Sequence, residues 1–143
     1  MFFFAHRFLD RFVAMKKTNG VRETYFVVVV EETAQQRVVG AATLVAEQKF
    51  IRGASLAGHV EDVVTDASMR GRGVGKVLME ALLLLSRHVG CYKTLLDCDE
   101  KNVPFYAQFG FKPKVSAQNK PKTSLFCSLP SLLFLGASNG NLF

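Results

Sequence analysis

The sequence has no tryptophan, only three cysteines, and only 12 acidic residues among 143. The cysteines, Cys91, Cys98 and Cys127, form no CxxC pair and no paired spacing, which argues against a disulfide framework or a zinc site and indicates reduced thiols. No segment reaches the roughly 20 consecutive apolar residues that span a bilayer, and residues 1–4 lack the basic region that opens a signal peptide. These absences predict a cytoplasmic protein with no metal and no membrane segment.

What is present is a globular composition with an excess of positive charge. Hydrophobic residues make up 49% of the chain and charged residues 21%, and the length suits one domain with its own core. The net charge of +6 favours an anionic partner. Because the lysines and arginines are scattered, the pattern does not favour nucleic acid. A small phosphorylated substrate fits the charge equally well.

The first half of the chain is predicted to hold one helix and three strands. Asn19 and Gly20 end the helix, whose apolar positions recur at helical spacing. Strands are predicted over residues 25–30, 38–46 and 59–65, and their short connections favour antiparallel pairing. The continuous apolar run at 25–30 is typical of a strand buried on both faces.

The second half predicts a strand, helix, strand unit, which implies a right-handed parallel crossover. Apolar residues at steps of three and four predict a helix over 74–89, followed by a strand over 93–98. A shorter helix over 102–109 and a further strand from Phe111 follow. Residues 123–143 contain no charged side chain and receive no assignment. We therefore expect one domain over residues 1–114 and a divergent apolar tail over 115–143.

A glycine-rich loop at residues 70–75 separates the third strand from the helix. Glycines allow positive φ and a close approach of the backbone to a ligand. Successive N–H groups at a helix N-terminus form an anion site that suits a pyrophosphate, and Arg70, Arg72 and Lys76 add positive charge. The loop lacks the Gly-Lys-Ser/Thr ending of a nucleoside triphosphate loop and the glycine order of a dinucleotide fingerprint. The alternative is a tight turn that binds nothing.

The motif Arg70-x-x-Gly73-x-Gly75 after a strand resembles the acetyl-CoA motif of the GNAT superfamily. Within that superfamily, residues 58–112 are similar to the glucosamine 6-phosphate N-acetyltransferases, above all in the strings VEDVV, GCYK and CDEKNVPFY. The resemblance extends upstream through TYFVVVVEE and AEQKFIRG and covers roughly residues 8–112. It implies an α/β (α+β) GNAT fold, with a mixed, mostly antiparallel sheet flanked by helices.

The resemblance also implies a reaction, in which acetyl-CoA donates its acetyl group to the 2-amino group of glucosamine 6-phosphate. The product would serve UDP-N-acetylglucosamine biosynthesis. Glu61 is expected to take a proton, Asp62 to position the sugar, and Tyr106 to assist the departing thiolate. Because adjacent strand residues point to opposite faces, Glu61 and Asp62 are not expected to address the amine identically.

The remaining site residues follow from the same resemblance. The cofactor is expected to contact Val63, Val64, Arg70, Gly71, Arg72, Gly73, Val74, Gly75, Lys76, Asn102 and Tyr106. The acceptor is expected to contact Lys49, Arg52, Glu61, Asp62, Asp97 and Cys98. Lys49 and Arg52 are candidates for the sugar phosphate, with a solvated basic loop as the alternative.

The sequence departs from the family pattern at both ends. We expect the usual first strand and helix to be missing, and residues 115–143 do not resemble the final strand that carries a basic residue to the sugar phosphate and joins a homodimer. Besides the sugar acetyltransferase, two hypotheses stay open. One is a GNAT enzyme with another amine acceptor. The other is a truncated coenzyme A-binding fragment with little activity.

Overall fold

The computed structural model describes residues 2–20, 23–114 and 123–128. The elements in chain order are α1 (Phe2–Asn19), β1 (Tyr25–Glu32), β2 (Arg37–Gln48), the single turn α2 (Ile51–Ala54), β3 (Leu56–Thr65), α3 (Val74–His88), β4 (Cys91–Cys98), α4 (Val103–Ala107), β5 (Lys112–Pro113) and β6 (Thr123–Ser128). Short 3-10 turns precede α3 and α4. The predicted strands and the long helix are confirmed within a few residues of their bounds.

Six strands form one mixed sheet in the order β1-β2-β3-β4-β6-β5. The β3–β4 pair is parallel, and the other described pairs are antiparallel. The helix α3 connects β3 to β4, as a parallel pair requires a crossover. The expected α/β (α+β) architecture, a mostly antiparallel sheet flanked by helices, is therefore confirmed.

The core lies between α3 and one face of the sheet. Leu78 and Leu82, one helical turn apart, are fully buried there with Leu44 of β2. Burial of one such side chain stabilises the fold by roughly 2 kcal/mol. Gly58 lets β3 approach the helix, because a Cβ at this position would lie 2.7 Å from Oγ of Ser86. The side facing α3 is thus dry and closely packed, and this leaves the strand ends and the other face for a ligand.

The prediction that residues 25–30 are buried on both faces is wrong. β1 ends the described sheet, and its exposure alternates along the strand. Val27 and Val29 are 56% and 53% exposed. A run of valines reflects the preference of β-branched side chains for extended backbone, which an edge strand shares with a buried one.

The C-terminal segment contributes a strand to the sheet that was not predicted from the sequence. β6 lies between β4 and β5, where Leu125 is fully buried. Lys114 N–H donates to the carbonyl of Ser124 at 2.8 Å, which joins the end of β5 to β6. The rest of the predicted apolar tail, residues 115–122 and 129–143, lies outside the described residues.

Candidate active site

The parallel strands β3 and β4 separate part of the way along their length. Their pairing runs from Leu56 with Cys91 to His59 with Leu95 and then ends, although β3 continues to Thr65. Beyond that point the backbone groups on the facing edges of β3 and β4 are not paired with each other. Unpaired backbone N–H and C=O groups require a partner, and an extended ligand with amide groups can supply one.

A cavity of about 280 Å³ opens where the strands separate, and we call it the splay cavity. It is lined by Val60, Glu61, Asp62, Val63, Leu96, Asp97, Cys98, Asp99, Asn102 and Tyr106. The fold therefore brings together seven of the predicted residues from β3, β4 and α4: Glu61, Asp62, Val63, Asp97, Cys98, Asn102 and Tyr106. Val64 lies on the same stretch of β3 but is not among the residues lining the cavity.

A bulge in β3 changes the directions of Glu61 and Asp62. The register between β2 and β3 shifts so that Asp62 and Val63 together face one residue, Ala42. Asp62 adopts a positive φ of 53° inside the strand. Bulges of this kind redirect a side chain. As a correction to the expected alternation, both carboxylates line the same cavities.

The glycine-rich loop, residues 70–75, leads directly into α3. Gly71 and Gly73 have φ of 75° and 85°, and a Cβ at either position would meet no atom within 4 Å. Val77 N–H donates to the carbonyl of Gly73 at 3.1 Å as the first bond of the helix. The N–H groups of residues 74–76 consequently have no partner within the helix, as at any helix start. The start of α3 therefore combines open space with N–H donors that have no partner within the helix, and this combination suits an anion.

A polar network fixes the start of this loop to the sheet. Asp66 N–H donates to the carbonyl of Val39 at 2.9 Å, and the Asp66 carboxylate accepts from the N–H and hydroxyl of Ser68. These hydrogen bonds hold the pKa of Asp66 below its usual value. Arg37 donates to Glu32 at 2.9 Å and to the Ser68 hydroxyl at 3.1 Å. This network could not be predicted from the sequence, because its members come from different elements.

Tyr106 stands at the opposite wall of the splay cavity on α4. Its ring packs edge-on against Phe105 and Phe111, with centroids 5.1 and 6.2 Å away. Burial, and then the neighbouring Cys98, raises the pKa of the phenol. Tyr106 therefore stays protonated at neutral pH and is able to donate a hydrogen bond. Phe105 also contacts the glycine loop, since a Cβ at Gly75 would lie 3.3 Å from its ring.

Cys98 lines the splay cavity as a neutral thiol. Burial raises its pKa first of all, and the negative charges of Asp99 and Asp97 raise it further. A thiolate is the nucleophilic form of cysteine. The surroundings of Cys98 therefore disfavour a covalent role.

A second cavity, of about 380 Å³, lies between α1 and the sheet, and we call it the α1 cavity. It is lined by Arg11, Ala14, Met15, Thr18, Tyr25, Thr43, Val45, Glu61 and Asp62. The sequence analysis did not single out Arg11, Tyr25 or Thr43. The available indication was the spacing of Arg11, Met15 and Thr18, which places them on one face of α1. The two carboxylates join this cavity to the splay cavity.

A third cavity, of about 190 Å³, lies on the β4–β6 side of Glu61. Asp97, Lys114 and Ser124 contribute polar groups to it. His59 also lines it, and the Nε2 atom of His59 lies 2.7 Å from Oε2 of Glu47. Glu61 is thus common to all three cavities.

Lys49 and Arg52 lie at the other end of β3. They precede Leu56, which pairs at the start of β4, and neither residue lines any of the three cavities. Lys49 forms an ion pair with Glu47, and Arg52 is exposed with φ of 56°. The fold of this single chain does not bring them to Glu61, and their role in phosphate binding stays a prediction.

Two kinds of feature are absent from the described ranges 2–20, 23–114 and 123–128. No cluster of three or more His, Cys, Asp or Glu side chains there could hold a metal ion. No helix of that part of the chain combines the length and the apolar character needed to cross a membrane.

Known proteins resemble this chain in sequence and in fold. Residues 2–111 match the acetyltransferase (GNAT) family model. The chain is 41% identical over 105 residues to a probable glucosamine 6-phosphate N-acetyltransferase of Drosophila melanogaster, covering 73% of this chain and 46% of the relative. It is 51% identical over 76 residues to the glucosamine 6-phosphate N-acetyltransferase of Trypanosoma brucei brucei, covering 53% and 52%. The chain thus spans about half the length of these two relatives.

Two further comparisons cover more of the matched protein. The glucosamine 6-phosphate N-acetyltransferase of Schizosaccharomyces pombe is 38% identical over 96 residues, with 67% of this chain and 85% of the relative covered. The crystal structure of glucosamine-6-phosphate N-acetyltransferase from Arabidopsis thaliana superposes with a TM-score of 0.71 at 32% identity, covering 80% of this chain and 76% of that one. The chain therefore belongs to the GNAT acetyltransferase family, in which its relatives are glucosamine 6-phosphate N-acetyltransferases.

Proposed function

We propose that this protein transfers the acetyl group of acetyl-CoA to the 2-amino group of glucosamine 6-phosphate. The products are coenzyme A and N-acetylglucosamine 6-phosphate. The observation that carries the proposal is the junction at Glu61 and Asp62, whose side chains line both the splay cavity and the α1 cavity. A transfer between two bound molecules requires such a meeting point. The relatives supply the identity of the two substrates.

The donor side fits acetyl-CoA through backbone groups. The free edges of β3 at Val63 and Val64 suit hydrogen bonds to an extended pantetheine arm, with Asn102 facing them across the splay cavity. The N–H groups of residues 74–76 suit the pyrophosphate, and three exposed basic side chains, Arg70, Arg72 and Lys76, add charge. Acetyl-CoA would supply the activated acetyl group as a thioester. This side needs no metal.

The chemistry requires one proton to leave the amine and one to reach the sulfur. As the C–N bond forms and the C–S bond breaks, Glu61 accepts the amine proton, directly or through water. Asp62 holds the sugar in place at the same junction. Tyr106, kept protonated by its raised pKa, donates to the departing sulfur. The transfer is direct within a ternary complex, because the pKa of Cys98 is also raised and its thiol is a poor nucleophile.

We further propose that the enzyme is a cytoplasmic homodimer that serves UDP-N-acetylglucosamine biosynthesis. The dimer is supported by exposed apolar side chains on one face of the sheet. Val29 and Val64 flank Ala41 across three strands, and they are 53% and 59% exposed. Contiguous exposed apolar surface marks protein interaction sites. Sedimentation velocity tests this directly, and a monomer at micromolar concentration would reject it.

An assay of thiol release from acetyl-CoA tests the proposed reaction. The acceptors are glucosamine 6-phosphate, unphosphorylated glucosamine and a lysine-containing peptide. We expect efficient turnover only with the phosphorylated sugar. Turnover with the peptide alone would indicate a GNAT enzyme with another acceptor. Binding of acetyl-CoA by calorimetry without turnover of any acceptor would indicate a coenzyme A-binding fragment.

A further inference from the structure

The α1 cavity has the polar groups that an amino sugar phosphate needs. Such a molecule presents a cationic amine in equilibrium with its neutral form, several hydroxyls and a phosphate. Glu61 and Asp62 lie on the wall next to the splay cavity, and Thr43 and Tyr25 add hydroxyl groups. The volume of about 380 Å³ is the largest of the three cavities described and falls in the range of small-molecule sites.

Arg11 supplies the positive charge of this cavity. It is the one cation among the lining residues, and within the described residues it forms no ion pair. A guanidinium offers a planar set of donors that binds phosphate in a bidentate manner. The cavity therefore combines one exposed arginine from α1 with two carboxylates from β3.

Asn19 fixes the helix that carries Arg11. Its side-chain amide donates to the carbonyl of Tyr25 at 2.7 Å, and its Oδ1 accepts from the N–H of Tyr25 at 2.9 Å and of Thr24 at 3.0 Å. This clamp holds the C-terminal end of α1 against the start of β1. Arg11 lies two turns before the clamp, or about 12 Å along the axis. The clamp therefore fixes the helix whose Arg11 lines the cavity.

From this arrangement we infer that the α1 cavity is the acceptor site and that Arg11 binds the sugar phosphate. The inference rests on the proposed function. It assigns phosphate binding to Arg11, a residue that was not predicted from the sequence. The amine then lies at the carboxylates beside the splay cavity, with the phosphate at the far end. The third cavity offers Lys114 instead, but its volume is half as large, and the ring of His59 is already bonded to Glu47.

The test compares Arg11→Met with Lys114→Met, and with Lys17→Met as a matched control. Lys17 is an exposed cation on the same helix that lines none of the three cavities. KM and kcat are measured with glucosamine 6-phosphate and with glucosamine. Arg11→Met should raise KM for the phosphorylated sugar roughly tenfold to hundredfold, as expected for a lost charge-assisted hydrogen bond. It should leave kcat/KM for glucosamine unchanged, and Arg11→Lys should restore part of the affinity.

The possible outcomes distinguish the role of Arg11 from the proposed function. An unchanged KM in Arg11→Met, or a rise in Lys114→Met instead, would reject the role of Arg11 while the proposed function stands. An equal loss with glucosamine would also reject it, because the effect would not depend on the phosphate. Failure of the unaltered protein to acetylate any amino sugar would reject the proposed function, and the inference with it. Thermal unfolding of each variant checks that the fold is retained.

Discussion

The donor side and the acceptor side of this site are built from different parts of the chain. The donor side uses the backbone of β3 and β4, the glycine loop and α4, all within residues 60–106. The acceptor side that we infer uses side chains of α1, β1, β2 and β3, and it joins Arg11 to Asp62. One is a continuous stretch of sequence, and the other is assembled by tertiary packing.

This difference teaches where each kind of substitution should act. Backbone donors tolerate many side chains but depend on φ and on the gap between the strands. A side-chain cavity depends on individual charges and on how one helix docks. Substitutions on the donor side should therefore act mainly through backbone geometry, and those on the acceptor side through single functional groups. Five variants, with matched controls, test this contrast in order of decreasing expected effect.

Gly73→Val should have the largest effect, because it damages the donor loop. The valine would occupy the open space at the start of α3 and strain a backbone with φ of 85°. Loss of two charge-assisted hydrogen bonds to the pyrophosphate amounts to a decrease of kcat/KM for acetyl-CoA on the order of a thousandfold. Steady-state kinetics and calorimetric titration of acetyl-CoA measure this.

Gly90→Val is the matched control for Gly73→Val. Gly90 lies at the other end of α3 with φ of 84°, and a Cβ there also meets no atom within 4 Å. Both substitutions should cost about 1–3 kcal/mol of stability through backbone strain. Only the substitution at Gly73 should weaken acetyl-CoA binding. Equal losses of affinity in both variants would mean that the loop acts through stability alone.

Glu61→Gln should lower kcat on the order of a hundredfold, since it removes the proposed general base at the junction of the two sides. Asp62→Asn should mainly raise KM for the sugar. Asparagine is chosen because it tolerates the positive φ of this bulge better than most residues. Steady-state kinetics with the sugar varied separates the two effects. If both variants change only KM, neither carboxylate is the base.

Tyr106→Phe should lower kcat roughly tenfold to hundredfold by removing the proton donor for the sulfur. KM for acetyl-CoA should hardly change, because the ring contacts with Phe105 and Phe111 remain. Since burial raises the pKa of Tyr106, the loss should be the same across neutral pH, where the phenol is protonated. Tyr92→Phe should leave kcat unchanged, because Tyr92 lies at the other end of β4 and lines none of the three cavities. An unchanged kcat in Tyr106→Phe would remove the leaving-group role.

The contrast between the two sides also explains what the sequence was able to predict. The strands and α3 were found because apolar periodicity and glycines mark their bounds, and the loop was found because its three glycines recur at every second position where the helix begins. The pairing of β6 with β4 was not predicted, because a short apolar run such as Thr123–Ser128 does not specify its neighbour. Periodicity likewise did not show that Val27 and Val29 of β1 face outward while Val28 and Val30 pack against the core.

Two features of the site depend on tertiary structure alone. The bulge that turns Glu61 and Asp62 toward the same cavities arises from pairing with β2, and nothing in the string VEDVV indicates it. The α1 cavity exists because Asn19 clamps α1 onto β1. Family resemblance predicted seven of the residues that line the splay cavity, and the proposed roles on the donor side rest on backbone position. It did not predict Arg11, whose inferred role rests on helix docking.

Cys98→Ser should have the smallest effect, with kcat within about twofold of the unaltered protein, because serine has nearly the same shape and the thiol has no role in the proposed transfer. Cys98 lines the splay cavity, but in the proposed transfer the donor side acts through backbone groups and Tyr106 rather than through this thiol. Burial, followed by Asp99 and Asp97, raises the pKa of Cys98. The thiolate fraction at about pH 8 is therefore smaller than in an ordinary cysteine, whose pKa is near 8.5.

Two measurements test whether the raised pKa keeps Cys98 unreactive. Alkylation of Cys98 by iodoacetamide should be slow at neutral pH and should accelerate only above the ordinary thiol range. Acid-quenched protein that was mixed with acetyl-CoA alone should carry no acetyl group by mass spectrometry. Cys127→Ser serves as the control, because Cys127 is also buried with a raised pKa but lines none of the three cavities. An acetylated Cys98, together with lost turnover in the serine variant, would make the transfer covalent. The donor side would then depend on a single side chain, as the acceptor side does, and the proposed difference between the two sides would be wrong.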